Sequence, residues 1–166
     1  AVAVTACGGS GTPSLTAAAG DTAIAPASTP SPTQAGAGNS DPCALVTAAE
    51  AQAAMGVPVA TTRPTGSGGY HVCDYASADG RTALEVTRID PSGDGSDKTT
   101  FELAYGAGQA VAGVGDDAFF NADLSALTVL QNGTVVNVGL SNAVGVSAAQ
   151  MQAVLTKVVL AALGRL

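Results

Sequence analysis

The sequence contains no tryptophan, only three phenylalanines and three tyrosines, and a single histidine among its 166 residues. So few rings supply neither a platform for stacking sugars nor a surface for stacking unpaired bases. With one histidine, any Ser-His-Asp or histidine-based acid–base mechanism has to run through His71. Basic residues are scarce as well. Arg63, Arg81, Arg88, Lys98, Lys157 and Arg165 are scattered among thirteen acids, giving a net charge of −7. A phosphate backbone would find no electrostatic footprint, so no nucleic acid is expected as a partner. No apolar run reaches the ~20 residues of a membrane-spanning helix.

What the chain does carry begins at Cys7. The run Val4-Thr5-Ala6-Cys7-Gly8-Gly9-Ser10 has the form of a bacterial lipobox: apolar, small, small, cysteine, then tiny polar residues. Ala1-Val2-Ala3-Val4 reads as the tail of an apolar signal segment, so residues 1–6 are expected to be a signal-peptide remnant and Cys7 the lipidation site. A diacylglyceryl thioether, usually joined by an N-acyl chain, meets the requirement of more than one lipid chain for stable anchoring. The expected location is the outer face of the cytoplasmic membrane, with lipid as the attachment.

Residues 8–40 hold one charge, Asp21, no aromatic residue, and Pro13, Pro26, Pro30 and Pro32 among Ser, Thr, Ala and Gly. Such a segment cannot bury enough apolar surface to offset its ordering entropy, so residues 7–40 are expected to form a lipidated, disordered stalk. Its Thr/Ser/Pro content also suits O-glycosylation. Every aromatic residue and nearly all the charge lie in residues 41–166, a length suited to one globular domain with its own core. With Cys7 assigned to lipid, Cys43 and Cys73 remain as a pair in an oxidising compartment, and a disulfide is expected. Two buried free thiols, or a metal site with His71, are the alternatives.

Asp41-Pro42 starts a helical turn, Thr47-Ala48-Ala49-Glu50 is a capping box, and Gly56 is a helix stop after Met55. Residues 70–77 and 82–89 read as a hairpin around Ala78-Asp79-Gly80-Arg81. His71, Cys73 and Tyr75 share one face of the first strand, and Leu84 and Val86 one face of the second. Ser96 caps a short helix over residues 97–105. Asn132-Gly133 between apolar runs calls for a type I′ turn that sets Val129 opposite Val136, Leu127 opposite Val138 and Thr128 opposite Asn137. Residues 117–121 form a further strand. Ser147-Ala148-Ala149-Gln150 opens a terminal helix with Met151, Val154, Leu155, Val158 and Ala162 on one face and Gln152, Thr156 and Lys157 turned away. The expected class is α+β, a mainly antiparallel sheet of about five or six strands packed by about three helices.

Three segments carry a family resemblance: Asp41-Pro42-Cys43-Ala44-Leu45-Val46-Thr47 with Glu50 and Gly56, then Cys73-Asp74-Tyr75, then Val111-Ala112-Gly113-Val114-Gly115-Asp116-Asp117-Ala118-Phe119. Over residues 41–166 the chain resembles actinobacterial lipoproteins built on a domain of unknown function with an Asp-Pro-Cys motif. The resemblance implies an exported surface lipoprotein of a high-GC Gram-positive bacterium, with a fold similar to the PsbP-like lipoproteins of mycobacteria. It assigns no catalytic residue.

Three further groups bear on chemistry. Gly113-Val114-Gly115-Asp116-Asp117-Ala118 superficially matches a dinucleotide loop, but no parallel βαβ unit surrounds it and its aspartates would face a pyrophosphate. Asp116 and Asp117 could instead hold a cation or act as an acid pair, but a structural turn is the expected reading. Asp90-Pro91-Ser92-Gly93-Asp94-Gly95-Ser96-Asp97 spaces its oxygens as a calcium loop does, yet the twelfth position is Phe101 and Glu102 comes one late. His71 has no nucleophile motif beside it. The expectation is a non-enzymatic module without cofactor or metal, binding a small apolar ligand or an envelope protein. The rivals are an envelope enzyme using His71 with Asp74 or the Asp116-Asp117 pair, and a structural or inhibitory interaction domain. A pocket lined by Leu, Val and Tyr favours a ligand, a flat apolar patch a protein partner, and polar groups converging on His71 an enzyme.

Overall fold

Local capping chemistry starts the domain in a computed structural model that describes residues 41–91, 97–142 and 145–166. The Asp41 carboxylate accepts the Cys43 N–H at 2.9 Å, and Pro42 at the first position completes a 3-10 turn over Pro42–Ala44. Thr47 and Glu50 then close a reciprocal capping box on α1 (Ala48–Met55), which ends at Gly56 with φ of 70°. The chain continues through β1 (Thr61–Ser67), β2 (Tyr70–Ala76), β3 (Ala83–Ile89) and α2 (Lys98–Tyr105). It finishes with β4 (Gln109–Ala110), β5 (Asp117–Asn121), β6 (Ala126–Gln131), β7 (Thr134–Ser141) and α3 (Ala148–Leu163).

All neighbouring strands are antiparallel, in the order β1-β2-β3-β7-β6-β5-β4. The class is α+β as expected, with seven strands among the described residues instead of five or six. The additional members lie at the sheet edges: β4 is two residues long, and all seven residues of β1 are exposed. With neither face covered, β1 has no reason to alternate apolar and polar residues, and Pro64, opposite Cys73, has no N–H to donate to the ladder.

The β6–β7 hairpin follows the expected pairing throughout, including Val129↔Val136, Leu127↔Val138 and Thr128↔Asn137. Its turn residues Asn132 and Gly133 both have positive φ, 50° and 75°, as a type I′ turn requires. Asn137 Nδ2 donates to Thr128 Oγ1 at 2.6 Å, which satisfies a threonine that is otherwise buried. One face of the sheet presents Tyr75, Leu84, Val86, Val136, Val138 and Leu127 to the 3-10 turn, α1 and α3. The other buries Ile89, Leu130 and Val135 under Phe101 of α2, with Tyr105 and Phe119 packed alongside. The ring centroids of Phe101 lie 5.2 Å from Tyr105 and 5.8 Å from Phe119, a spacing that favours tilted aromatic pairs.

Two helix readings need correction. Asp97, whose side chain accepts the Thr100 N–H at 2.9 Å, caps α2, so the helix starts one residue later than expected and Ser96 lies outside the described residues. In α3 Met151, Leu155, Val158 and Ala162 are buried as expected and Val159 joins them, whereas Val154 is half-buried and lines the gap beside α1. The physical reason is that α3 packs flat on β6 and β7, so a wider stripe meets the sheet and its flank is left open.

Cys43 and Cys73 are joined in a disulfide that fastens the 3-10 turn to β2, with their Cα atoms 5.0 Å apart. Beside it the Tyr75 hydroxyl donates to the carbonyls of Val46 and Cys43. Burial pushes the Tyr75 phenol up to about 12, with the carboxylates of Asp41 and Glu50 adding to the effect. The cross-link closes a loop with a sequence separation of 30. Replacing both cysteines by alanine should therefore lower unfolding free energy by about 3 kcal/mol in urea titrations, and an unchanged midpoint would show that the cross-link does not constrain the unfolded chain.

Candidate functional site

The alternation of β2 puts His71 on the face of Cys73 and Tyr75 and turns Asp74 to the opposite one. His71 and Asp74 are therefore not brought together. Instead, β2–β3 pairing sets His71 across from Arg88, and both reach Asp90, two residues beyond Arg88 on the same side. His71 Nε2 lies 3.0 Å from Asp90 Oδ2, and Arg88 lies 2.7 Å from Asp90 Oδ1. The side chains of His71 and Asp90 are 19% and 29% exposed. Among the described residues His71 hydrogen-bonds to Asp90 alone. The sequence places Asp90 in a loop after the strand and so does not pair it with His71; the signal lies in the i, i+2 spacing of Arg88 and Asp90 on one side of the strand.

That loop is described only at its ends. Asp90 is engaged by His71 and Arg88, and Asp97 by the cap of α2, so neither terminal carboxylate is left open for a cation. Residues 92–96 lie outside the described residues.

The Gly113–Asp117 segment is a structural turn. Val114 is buried in the core, and a Cβ on Gly115 would come within 2.5 Å of Leu130 O and Val129 Cγ1. Asp116 accepts the Asn132 N–H at 2.6 Å, while its own N–H donates to Leu130 O at 2.8 Å. Asp117 holds Lys98 at 2.6 Å, and Lys98 also pairs with Glu102 at 2.8 Å. The hydrogen bond from Lys98 keeps the Asp117 carboxyl below its usual range. The two aspartates thus have separate partners in separate elements and do not form an acid pair. Cys7 lies outside the described residues.

A different surface is open. Between α1 and α3 runs a groove of about 260 Å³ lined by Glu50, Ala53, Ala54, Val154, Lys157, Val158 and Ala161. Ala53 and Lys157 are exposed and the other walls mostly half-buried, so the groove faces solvent along its length. At its end Arg165 forks onto Glu50 with both nitrogens, at 2.9 and 2.8 Å, and also donates to Leu45 O at 2.7 Å. This fork is the main reason the Glu50 carboxyl is held down at about 2, aided by hydrogen bonds from Thr47. A smaller depression of about 180 Å³ lies at the β4–β5 edge beside Gln109, Asn121 and Asp123.

Comparison with protein-family models, with curated proteins and with solved structures finds no match to this chain.

Two outcomes follow from these contacts. Because the Glu50 pKa is depressed on folding, its contribution is present above its ordinary 4.5 and lost as pH falls toward about 2. Solvent screening limits it to about 1 kcal/mol, so Glu50→Gln should flatten the fall in stability between about pH 5 and 2 in acid titrations of the unfolding midpoint. His71→Ala should fold and lose about 1 kcal/mol, as expected for one partly exposed pair. Loss of a hydrolytic or transfer activity in that folded variant would instead make His71 catalytic.

Proposed function

We propose that this chain is an exported lipoprotein held on the outer face of the cytoplasmic membrane by a lipidated Cys7, and that its domain is a non-enzymatic module binding an envelope protein through the α1–α3 face. The observation that carries the binding mode is the groove itself. At about 260 Å³ and open along its length, it falls below the ~300–1,000 Å³ of pockets that enclose a small ligand. A shallow strip of Ala and Val suits a protein side chain better. The lipobox around Cys7, the cross-linked Cys43 and Cys73, and the resemblance to Asp-Pro-Cys actinobacterial lipoproteins support the exported location.

The enzyme reading keeps one favourable feature, the His71–Asp90 pair. A carboxylate orienting an imidazole is half of a catalytic arrangement. Here Asp90 is also bound by Arg88, which makes the cluster a tie across the end of β2 and β3. Asp116 and Asp117 are the partners of Asn132 and Lys98, and Asp74 lies on the opposite face of β2 from His71.

Two measurements test the proposal. A precursor carrying Cys7→Ser should leave the membrane fraction and escape lipoprotein processing; normal processing and anchoring would remove the lipid assignment. A photo-cross-linking residue at position 53, in the groove wall, should yield a discrete adduct in living cells, whereas one at position 87 on the other sheet face should not. Absence of any adduct at position 53 would remove the α1–α3 face as the binding surface.

A further inference from the structure

We infer that the protein fitting the α1–α3 face is a second copy of this chain, paired about a two-fold axis so that Leu160 of each copy enters the groove of the other. This rests on the proposal that the face is the binding surface and names its occupant.

A two-fold interface requires each copy to supply both halves of the contact from one surface patch. This face has both. The groove is the recess, and Leu160, 50% exposed on the outward side of α3 one turn from Lys157 on the groove rim, is the projection. Exposed Ala53 and Ala153 flank it and let helices approach closely.

Charge selects the same surface. Two chains of net charge −7 repel unless they meet where carboxylates are few. Helices α1 and α3 together contain a single acid, Glu50, which Arg165 already holds. Lys157, with no ion pair among the described residues, stands on the groove rim opposite Glu50. Glu50 keeps its pair with Arg165, so a copy docked in the reverse sense adds only a further, weaker attraction between each Lys157 and the other's Glu50, enough to favour one orientation.

The helix α3, at 16 residues, is about 24 Å long. With the shorter α1 beside it, the face offers roughly 400 Å² per copy, about half the ~800 Å² of a standard interface. The dimer is therefore weak in free solution and favoured when lipid anchors confine both copies to one membrane plane.

Sedimentation of the 166-residue chain from about 10 µM to about 1 mM should show a concentration-dependent monomer–dimer equilibrium, the range in which weak association is visible. Leu160→Glu should weaken it at least about tenfold, and Lys157→Glu should weaken it several-fold. Leu103→Glu, at an 87% exposed position on α2 beyond the opposite sheet face, should leave it unchanged. Each variant should retain the parent melting temperature, and the position-53 cross-link should give an adduct of twice the chain mass. Monomer at every concentration, or dissociation by Leu103→Glu with Leu160→Glu silent, overturns the inference. A position-53 adduct to a different protein from a monomeric chain also overturns it, yet leaves the α1–α3 face standing as a binding surface.

Discussion

One ladder holds this domain together. Strands β1-β2-β3 and β4-β5-β6-β7 are two separate meanders, and the antiparallel pairing of β3 with β7 joins them, from Ala83↔Ser141 to Ile89↔Val135. Both faces depend on its register. Leu84↔Leu140 and Val86↔Val138 point toward α1 and α3, while Ile89↔Val135 points toward α2. A slip of one residue would exchange the faces and strip the core of its valines. The loop closed between these strands is long, but closure entropy grows slowly with length. Fully burying Val86, Val136 and Val138, each contributing about 1.5–3 kcal/mol, offsets it.

The helical face is positioned by cross-links more than by its own packing. Helix α1 has eight residues and buries only Ala51 and Met55, too little to hold a helix that would be marginal alone. Three ties act on the segment that leads into it. The disulfide fixes Cys43 to β2, the Tyr75 hydroxyl binds the carbonyls of Val46 and Cys43, and Arg165 reaches from beyond α3 to Leu45 O and Glu50. Helix α3 meanwhile packs on β6 and β7 through Leu155, Val158 and Val159. The groove is the gap left where two independently fixed helices meet through alanines. Glu50, paired with Arg165, bounds it on the α1 side, and its remaining walls are mostly Ala and Val, too small to fill it.

Features decided within a few residues were legible in the sequence. The capping boxes at Thr47–Glu50 and Ser147–Gln150, the Gly56 stop and the Asn132-Gly133 turn all depend on local hydrogen bonds or positive φ, and each appears where the residue types require it. The paired cysteines were legible because a count of three, with Cys7 in a lipobox-like run, left one pair to bridge. Features decided by distant neighbours were not. Strand β1 has no burial to imprint a pattern on Thr61–Ser67, and β4 is too short to show one. The β3–β7 junction has no turn residues to announce it. Asp90 looked like a loop acid because its partners, His71 and Arg88, are set by strand pairing. The groove was hidden for the same reason: Val154 fits an apolar helical stripe equally well whether it meets a sheet or a gap beside α1.

Charge distribution connects the fold to its setting. Acids cluster in the turns, on the sheet and around α2, as Asp74, Asp79, Glu85, Glu102 and Asp123 illustrate, while α1 and α3 hold only Glu50. A domain with that asymmetry is repelled from an anionic leaflet on most of its surface and can approach closely only through the helical face. On that face Lys157 is the single free cation among the described residues, and Arg165 is neutralised by Glu50. One lysine near an anionic surface contributes about 1 kcal/mol, well short of stable adsorption. The helical face is thus the least acidic side of the described domain, and one lysine does not make it a membrane-binding one.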